Sequence, residues 1–232
     1  MEIISNHLEE RCFSDFLNLS TGTRIRLRFA VAFFTSPELI DTVAAASPEN
    51  QIHLIVSLNP PTSYHALKRV LWRSNVRIDF VPAGLHSKIY IIESDESEPI
   101  AAVGSSNLTA GGLKRNIETN VLFRGAEVQQ CGVASHFDYI CKRADVLTPE
   151  VLEDYRQEFE EFTTATASRK RAESLLQRKR PVTAGQDRCG EGCSFVANAL
   201  RESAFRVSAS SVPGPKVWRC WSSAYQPKAR SA

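Results

Sequence analysis

The sequence lacks several features that would assign it to a specialised class of protein. Its 232 residues contain no apolar run near the ~20 residues that a membrane-spanning helix needs, so no membrane partner is expected. Six cysteines are too few for the disulfide framework of a secreted domain, and the first residues show no secretory signal pattern. The expected setting is therefore reducing cytoplasm. A formal net charge of +2 gives no argument for nucleic acid from overall charge.

What the sequence contains is an alternation of strand and helix patterns. Strands are predicted at 24–34, 51–58 and 76–81, and helices at 36–47, 62–74, 127–143 and 149–162. In the first strand the apolar side chains that share a face are Ile25, Leu27, Phe29 and Val31. This order predicts an α/β fold with a mostly parallel or mixed central sheet and helices on both faces. Ligands of such sheets bind outside the carboxyl ends of the strands.

The segment 86–92 is predicted to be an inner strand with two unusual side chains. Its β-branched and aromatic residues favour a strand, and alternation places His86, Lys88 and Tyr90 on one face. Bulky residues on the other face indicate a strand that is covered on both sides. An unpaired ammonium in that position would cost several kcal/mol of folding free energy. The sequence therefore predicts an anionic partner, such as a phosphate, beside Lys88 and His86.

A tight polar turn follows the next predicted strand. The apolar segment 99–103 ends at Gly104, whose lack of a side chain allows the backbone to turn and to approach a ligand. Ser105 and Asn107 then offer a hydroxyl and an amide as hydrogen-bond donors. Because this turn lies at the carboxyl end of a strand, it is predicted to form part of a pocket.

A third alternating segment adds a carboxylate to the predicted pocket. In 116–123 the polar residues Asn116, Glu118 and Asn120 fall on one face, and the other face is mostly apolar. A carboxylate in a polar cluster orients a histidine or balances a lysine. Glu118 is therefore a candidate partner of the histidine and lysine described above.

These residues together resemble the signature of the phospholipase D superfamily. That signature is His-x-Lys, four residues, an acidic residue, and then Gly-Ser-x-Asn. Here His86-Ser-Lys88 precedes Glu93, where most members have aspartate, and Gly104-Ser-Ser-Asn107 follows. The run 104–120 is most similar to the nuclease branch, which includes metal-independent restriction endonucleases. The chain holds a single copy of the signature.

The resemblance implies a role for each of the residues in the pocket. The expected catalytic residues are His86, Lys88, Asn107 and Glu118, and the expected substrate-binding residues are Ser105 and Asn120. His86 is the nucleophile that forms a phosphohistidine, and Glu118 orients it. The cation and the amide stabilise the anionic transition state, while the serine assists.

The same resemblance, with the absence of an acidic cluster beside the signature, bears on cofactors and partners. The acidic residues at 93–98 are interpreted as a loop between strands, and no clustered aspartates and glutamates typical of a two-metal site accompany the motif. No metal or cofactor is therefore expected. The mechanism uses two histidines, which predicts a homodimer that brings two copies of His86 into one pocket. The favoured substrate is DNA, in restriction, defence or repair. A lipid or nucleotide phosphodiesterase, and a nucleic-acid-binding module that no longer cleaves or needs a partner to cleave, are the alternatives.

The sequence changes in character towards its end. The predicted divisions are a phospholipase D-like domain at 1–162, a basic helix or linker at 163–180 and a flexible tail at 181–232. Lysine and arginine are frequent in 168–180, where Glu173 is the single acid. A solvated helix is the favoured interpretation of this charge, and contact with a phosphate backbone is the alternative.

Other histidines and cysteines carry weaker signals. His53 lies in an apolar strand and His136 on a predicted helix, so both are interpreted as satisfied core residues. Cys189, Cys193 and Cys220 form a poor zinc set, because their spacing is irregular and no histidine lies nearby.

Overall fold

Short apolar strands separated by amphipathic helices build the architecture. A computed structural model describes residues 1–6, 12–17, 24–82 and 84–179. The strands are β1 (Glu2–Ser5), β2 (Arg26–Val31), β3 (Gln51–Ser57), β4 (Val76–Val81), β5 (Lys88–Ser94), β6 (Ser97–Gly104), β7 (Thr119–Arg124) and β8 (Asp145–Val146). The helices are α1 (Phe13–Phe16), α2 (Glu38–Ala46), α3 (Tyr64–Leu71), α4 (Ala126–Gln130), α5 (Val133–Cys141) and α6 (Pro149–Lys179), with a π-helical turn at Gly111–Arg115. The sheet lies within a compact unit that spans Met1–Gln177.

The described strands form a mixed sheet in the order β1-β7-β6-β5-β2-β3-β4-β8. The pairs β2–β3 and β3–β4 are parallel, and the other neighbouring pairs are antiparallel. The predicted α/β class is confirmed, with the parallel part confined to strands that α2 and α3 connect. As a result, β2 and β6 end where β5 and β7 begin. We call this side of the sheet the motif end.

Both faces of the sheet are covered by apolar packing, as the sequence predicts. Along β2, Leu27, Phe29 and Val31 pack on one face and Ala30 on the other. Helices α2, α3 and α6 cover the first, which we call the α3 face, and α4 and α5 cover the second, the α5 face. Burial of one large aliphatic side chain contributes about 1.5–3 kcal/mol, so this alternation fixes the face that each strand residue takes.

Two helices differ from their predicted extents. The helix predicted at 127–143 is divided into α4 and α5 by Gly132, whose φ of +73° lies in the left-handed region. The helix predicted to end at residue 162 continues as α6 to Lys179, because no glycine or proline interrupts that sequence. The division of the chain at residues 162 and 180 stays a prediction. The tail at 181–232, with its three cysteines, lies outside the described residues.

Short elements are the ones that sequence patterns miss. Strands β1 and β8 and the π-helical turn are two to five residues long, which is too short to show a periodicity. Strand β5 begins at Lys88, so His86 lies just before the strand rather than within it. None of the described helices combines the length and the apolar character needed to cross a lipid bilayer.

Candidate active site

His86 and Lys88 meet at the motif end, where β5 begins. The Lys88 ammonium donates to the His86 carbonyl oxygen at 2.8 Å. Its Nζ also lies 3.2 Å from each ring nitrogen of His86. The histidine is exposed, whereas the lysine is 6 % exposed. The two side chains therefore converge, with the imidazole open to solvent and the ammonium beneath it.

Lys88 is the buried cation of this site. It lies opposite Val31 of β2 in the antiparallel ladder, between two covered faces of the sheet. Loss of hydration lowers the pKa of Lys88, and the negative charge of Glu118 opposes this effect. A phosphate oxygen beside the ammonium would replace part of the lost hydration and would favour the charged form. The position therefore suits an anionic ligand.

The Glu118 carboxylate is held by two side chains of the connection between β6 and β7. The Ser105 hydroxyl donates to Oε2, and the Asn116 amide donates to Oε1 at 3.2 Å. The same hydroxyl accepts from the Thr119 backbone amide at 3.0 Å, which joins the turn to the start of β7. Glu118 is thus fixed through Ser105, and its predicted role in orienting His86 stays a prediction.

The carboxamide of Asn107 is fixed by the backbone that follows β2. Its Oδ1 accepts from the Phe33 amide at 3.0 Å, so Nδ2 remains as the donor arm. A parallel bridge between Phe34 and Leu108 joins the two connections, and the Thr35 amide donates to the Leu108 carbonyl at 3.0 Å. The predicted Gly-Ser-x-Asn turn is therefore anchored at the carboxyl end of β2.

Asn120, which is predicted to bind substrate, is part of a buried hydrogen-bond network. The residue is 1 % exposed because it lies beneath the turn after β6. Its Oδ1 accepts from the Ser106 amide at 3.3 Å, and its Nδ2 donates to the Ser106 hydroxyl at 2.8 Å. The Tyr90 hydroxyl, whose pKa burial raises well above the ordinary value, donates to the Ser106 carbonyl at 2.8 Å. Asn120 thus holds the turn, and a contact with substrate stays a prediction.

Asn6 supports the site although no sequence pattern reveals it. It is 2 % exposed, and its Nδ2 donates to the carbonyls of Gly112 at 3.0 Å and Asn116 at 2.9 Å. Its Oδ1 accepts from the Phe13 amide at 2.7 Å. One side chain therefore ties both ends of the π-helical turn to the segment after β1.

The π-helical turn packs closely against the backbone of Asn107. A Cβ added to Gly112 would meet the Asn107 carbonyl oxygen and would lie 2.7 Å from the Asn107 backbone nitrogen. Real Cβ atoms do not approach backbone this closely, so only glycine allows this packing. Asn6 and Gly112 are positioning residues for the turn that carries Asn107.

Glu93, at the acidic position of the signature, pairs with arginines of β2. Its Oε1 accepts from Arg28 Nη2 at 3.1 Å, and its Oε2 lies 3.7 Å from Arg26 Nη1. Because Glu93 is near the other end of β5 from Lys88, it joins two strands at a distance from the motif end. Glutamate thus fills a structural role at this position.

The two histidines that were assigned to the core have different environments. The Nε2 atom of His53 lies 2.7 Å from Asp79 Oδ2, as expected for a satisfied histidine. The core assignment is wrong for His136, which is exposed on α5 and stacks on Tyr139 with ring centroids 5.8 Å apart. A helical position alone does not distinguish the covered face from the solvated one.

The motif end thus combines an exposed imidazole, a buried ammonium and a fixed amide donor. A tetrahedral anion bound against Lys88 would lie beside the His86 ring, which is a nucleophile or a proton carrier according to its protonation. The nearby Glu118 carboxylate adds a negative charge to this site. The arrangement suits chemistry at a phosphoryl group.

A family model covers the domain that carries these residues. It is described as the PLD-like domain of cardiolipin synthase, and it matches residues 18–140, more than half of the chain. The chain belongs to the phospholipase D superfamily. All of the signature residues fall within the matched range. No curated protein matches the chain.

Two solved structures are among those similar to this chain. Nuc from Salmonella typhimurium, a phospholipase D family member, matches with a TM-score of 0.50 at 15 % identity, over 63 % of this chain and 97 % of Nuc. NucT from Helicobacter pylori matches with a TM-score of 0.46 at 15 % identity, over 63 % of this chain and 100 % of NucT. The likeness to Nuc confirms the phospholipase D-like fold.

The first prediction concerns Asn6. We expect Asn6→Ala to lower kcat at least tenfold with a smaller change in KM, because both ends of the π-helical turn lose their hydrogen bonds. Each buried group left unpaired costs about 1–3 kcal/mol, so the melting temperature should also fall. The measurements are steady-state phosphodiesterase kinetics and thermal unfolding.

A matched control separates positioning from stability. Asn50 is also fully buried, and its side chain accepts from the Ile25 amide and donates to the Val43 carbonyl, both at 2.8 Å, near the amino end of β3. Asn50→Ala should lower the melting temperature and leave kcat nearly unchanged at a temperature where both variants are folded. Equal kcat in the two variants would contradict a positioning role for Asn6.

The second prediction concerns the charge of Lys88. Because the Glu118 carboxylate opposes the burial effect, Glu118→Gln should lower the Lys88 pKa further, and added inorganic phosphate should raise it. The ammonium should then lose its proton at a lower pH in the variant than in the parent. NMR titration of labelled lysine measures this directly, with Glu127→Gln as a control at an exposed carboxylate bound by the N-terminus. An unchanged titration in Glu118→Gln would disprove the coupling.

Proposed function

We propose that the protein is a metal-independent phosphodiesterase that cleaves DNA as a homodimeric nuclease. The observation that carries this proposal is the buried Lys88 ammonium, which lies 3.2 Å from the ring nitrogens of the exposed His86. In this proposal the exposed imidazole attacks as the nucleophile, and the ammonium offsets the negative charge that grows on the phosphoryl group. The fixed amide of Asn107 supports the same role as a neutral donor.

The proposed reaction has two steps. A ring nitrogen of His86 attacks phosphorus, so an N–P bond forms while the P–O bond to the leaving group breaks. A second histidine gives its proton to the leaving oxygen and then accepts a proton from water, whose oxygen attacks phosphorus and releases His86. Lys88 and Asn107 offset the charge on the nonbridging oxygens in both steps. Together these contributions must lower the barrier by on the order of 20 kcal/mol.

In this proposal Ser105 and Glu118 set the charge of the pocket. The Ser105 hydroxyl holds the carboxylate, whose negative charge favours the protonated form of Lys88. When substrate enters, the Ser105 hydroxyl exchanges its carboxylate contact for a phosphate oxygen. The pair would then couple substrate binding to the position of Glu118.

A second copy of the chain supplies the other histidine. Each chain contributes a single His86, and apolar side chains near the motif end are exposed, with Ile117 at 89 % and Ile3 at 65 %. Ile117 directly precedes Glu118, and Ile3 lies on β1 at the margin of the sheet. Burial of such side chains contributes about 1.5–3 kcal/mol each, which supports self-association at this margin.

DNA is the proposed substrate because the run 104–120 is most similar to the nuclease branch. The exposed basic residues Arg169, Lys170 and Arg171 on α6 support this choice, since each phosphate contact adds salt-dependent affinity. The family model refers to cardiolipin synthase, which supports a lipid phosphodiester as the second candidate. The free thiols of the described cysteines support a reducing, cytoplasmic setting.

The third prediction tests the reaction and its substrate. Purified protein should cleave plasmid or single-stranded DNA in EDTA, and His86→Ala should reduce the rate at least about 1,000-fold through loss of the nucleophile. His136→Ala, at an exposed histidine of α5, is the matched control and should keep full activity. RNA and cardiolipin vesicles in parallel reactions identify the substrate class. Undiminished cleavage by His86→Ala would refute the proposed nucleophile.

The fourth prediction tests the dimer. Ile117→Asp places a charge in the proposed contact, so sedimentation should show a monomer and the cleavage rate should fall at least tenfold. Val146→Asp is the control, because Val146 is 55 % exposed on β8 at the opposite margin of the sheet. A fully active monomer, from either the parent or the variant, would contradict a shared active site.

A further inference from the structure

Three potential metal ligands converge at a place that the proposed reaction does not use. His53 on β3, Asp79 on β4 and Cys141 at the end of α5 each offer one ligand atom, and these atoms all lie within 4.8 Å of one another. The three residues come from three different elements, and the sequence separation between the first and the last is large. Their convergence is therefore a product of the fold.

The ligands are already oriented by their surroundings. The Nε2 atom of His53 is 2.7 Å from Asp79 Oδ2, and the His53 ring packs edge-on against Phe137 with ring centroids 5.3 Å apart. Asp79 is fully buried, and Arg77 donates through Nε to both of its oxygens at 3.0 Å. The guanidinium fixes the carboxylate in the way that outer hydrogen bonds orient metal ligands.

We propose that His53, Asp79 and Cys141 form a binding site for a divalent transition metal, with Zn²⁺ as the best fit. An imidazole nitrogen, a carboxylate oxygen and a thiolate are the three donor types that zinc takes in proteins, and solvent water would complete a tetrahedron. The ion enters between His53 and Asp79 and replaces their hydrogen bond. Cys141 binds as the thiolate and releases its proton to solvent.

The types of ligand atom, rather than the surrounding charges, decide which divalent cation the site suits. Asp79 and the Cys141 thiolate offer two negative charges to the ion, and Arg77, which donates to both Asp79 oxygens, offsets one of them. The soft sulfur donor makes zinc or cobalt preferable to magnesium or calcium.

The site is separate from the motif end. A cavity of about 480 Å³ at the amino ends of β2, β3 and β4 reaches His53, one of the three ligands, and Arg26, Arg28 and Arg77 also line it. Asp79 and Lys88 lie on strands that are three spacings of ~4.8 Å apart, about 14 Å, and alternation puts their side chains on opposite faces of the sheet. The metal would join α5 to the sheet and would take no part in phosphoryl transfer.

Metal titration of the full chain tests this inference. A background variant with Cys189→Ser, Cys193→Ser and Cys220→Ser removes the thiols of the tail, and EDTA treatment followed by dialysis removes bound metal. Co²⁺ should then bind with one equivalent and give a thiolate charge-transfer absorption, and Zn²⁺ should displace it and raise the melting temperature. Adding Cys141→Ser should abolish the absorption, and adding His53→Gln should weaken Zn²⁺ binding at least tenfold.

Two controls decide between a metal site and an ion-pair cluster. Cys131→Ser, at the half-buried thiol that follows α4 and whose Sγ donates to the Val128 carbonyl, should bind metal as the background does. Melting temperatures in EDTA must agree between the background and Cys141→Ser, so that lost binding is not lost folding. Absence of a thiolate band in the background, or unchanged binding in Cys141→Ser, would overturn the proposal. DNA cleavage in EDTA is independent of this result, so the two proposals can fail separately.

Discussion

The structure depends on a lysine that is buried at the end of a strand. The Lys88 ammonium is deprived of water by the packing around it, and its contacts to His86 do not carry the negative charge that would compensate it. The Glu118 carboxylate, which is held by the Ser105 hydroxyl, supplies negative charge near the ammonium. A buried cation whose charge is only partly compensated favours the binding of an anion. The polar residues around the motif end hold Lys88 and Glu118 in this arrangement.

The fold maintains this state by tying three connections together. The backbone after β2 fixes Asn107, the bridge between Phe34 and Leu108 joins the connections after β2 and β6, and Asn6 ties the π-helical turn to the segment after β1. The Asn6 and Asn107 ties are buried or partly buried hydrogen bonds, and a buried donor or acceptor that loses its partner is costly. These supports hold the turns in place while the Lys88 ammonium lacks a directly bonded anion among the described residues.

Features that depend on residues close together in the sequence could be predicted, whereas contacts between residues far apart in the sequence could not. The alternation of Leu27, Phe29 and Val31 and the spacing of the signature are local properties, and both led to the correct fold and family. Asn6 finds its partners more than one hundred residues away, at Gly112 and Asn116, so no window of sequence contains the relation. Asn120 lies only 14 residues from Ser106, yet alternation did not show that the turn after β6 would cover its side chain.

His53 and His86 show that residue type alone does not reveal the partner of a histidine. Both lie in or beside strands of the same sheet, and their side chains have the same intrinsic chemistry. His53 is paired because the parallel crossover through α3 brings the strand of Asp79 beside its own. His86 lies before an antiparallel strand, and its nearest charged neighbour is a cation of that same strand. A carboxylate partner makes the first histidine a fixed element of the sheet, whereas the second histidine lies beside the Lys88 ammonium with its ring open to solvent.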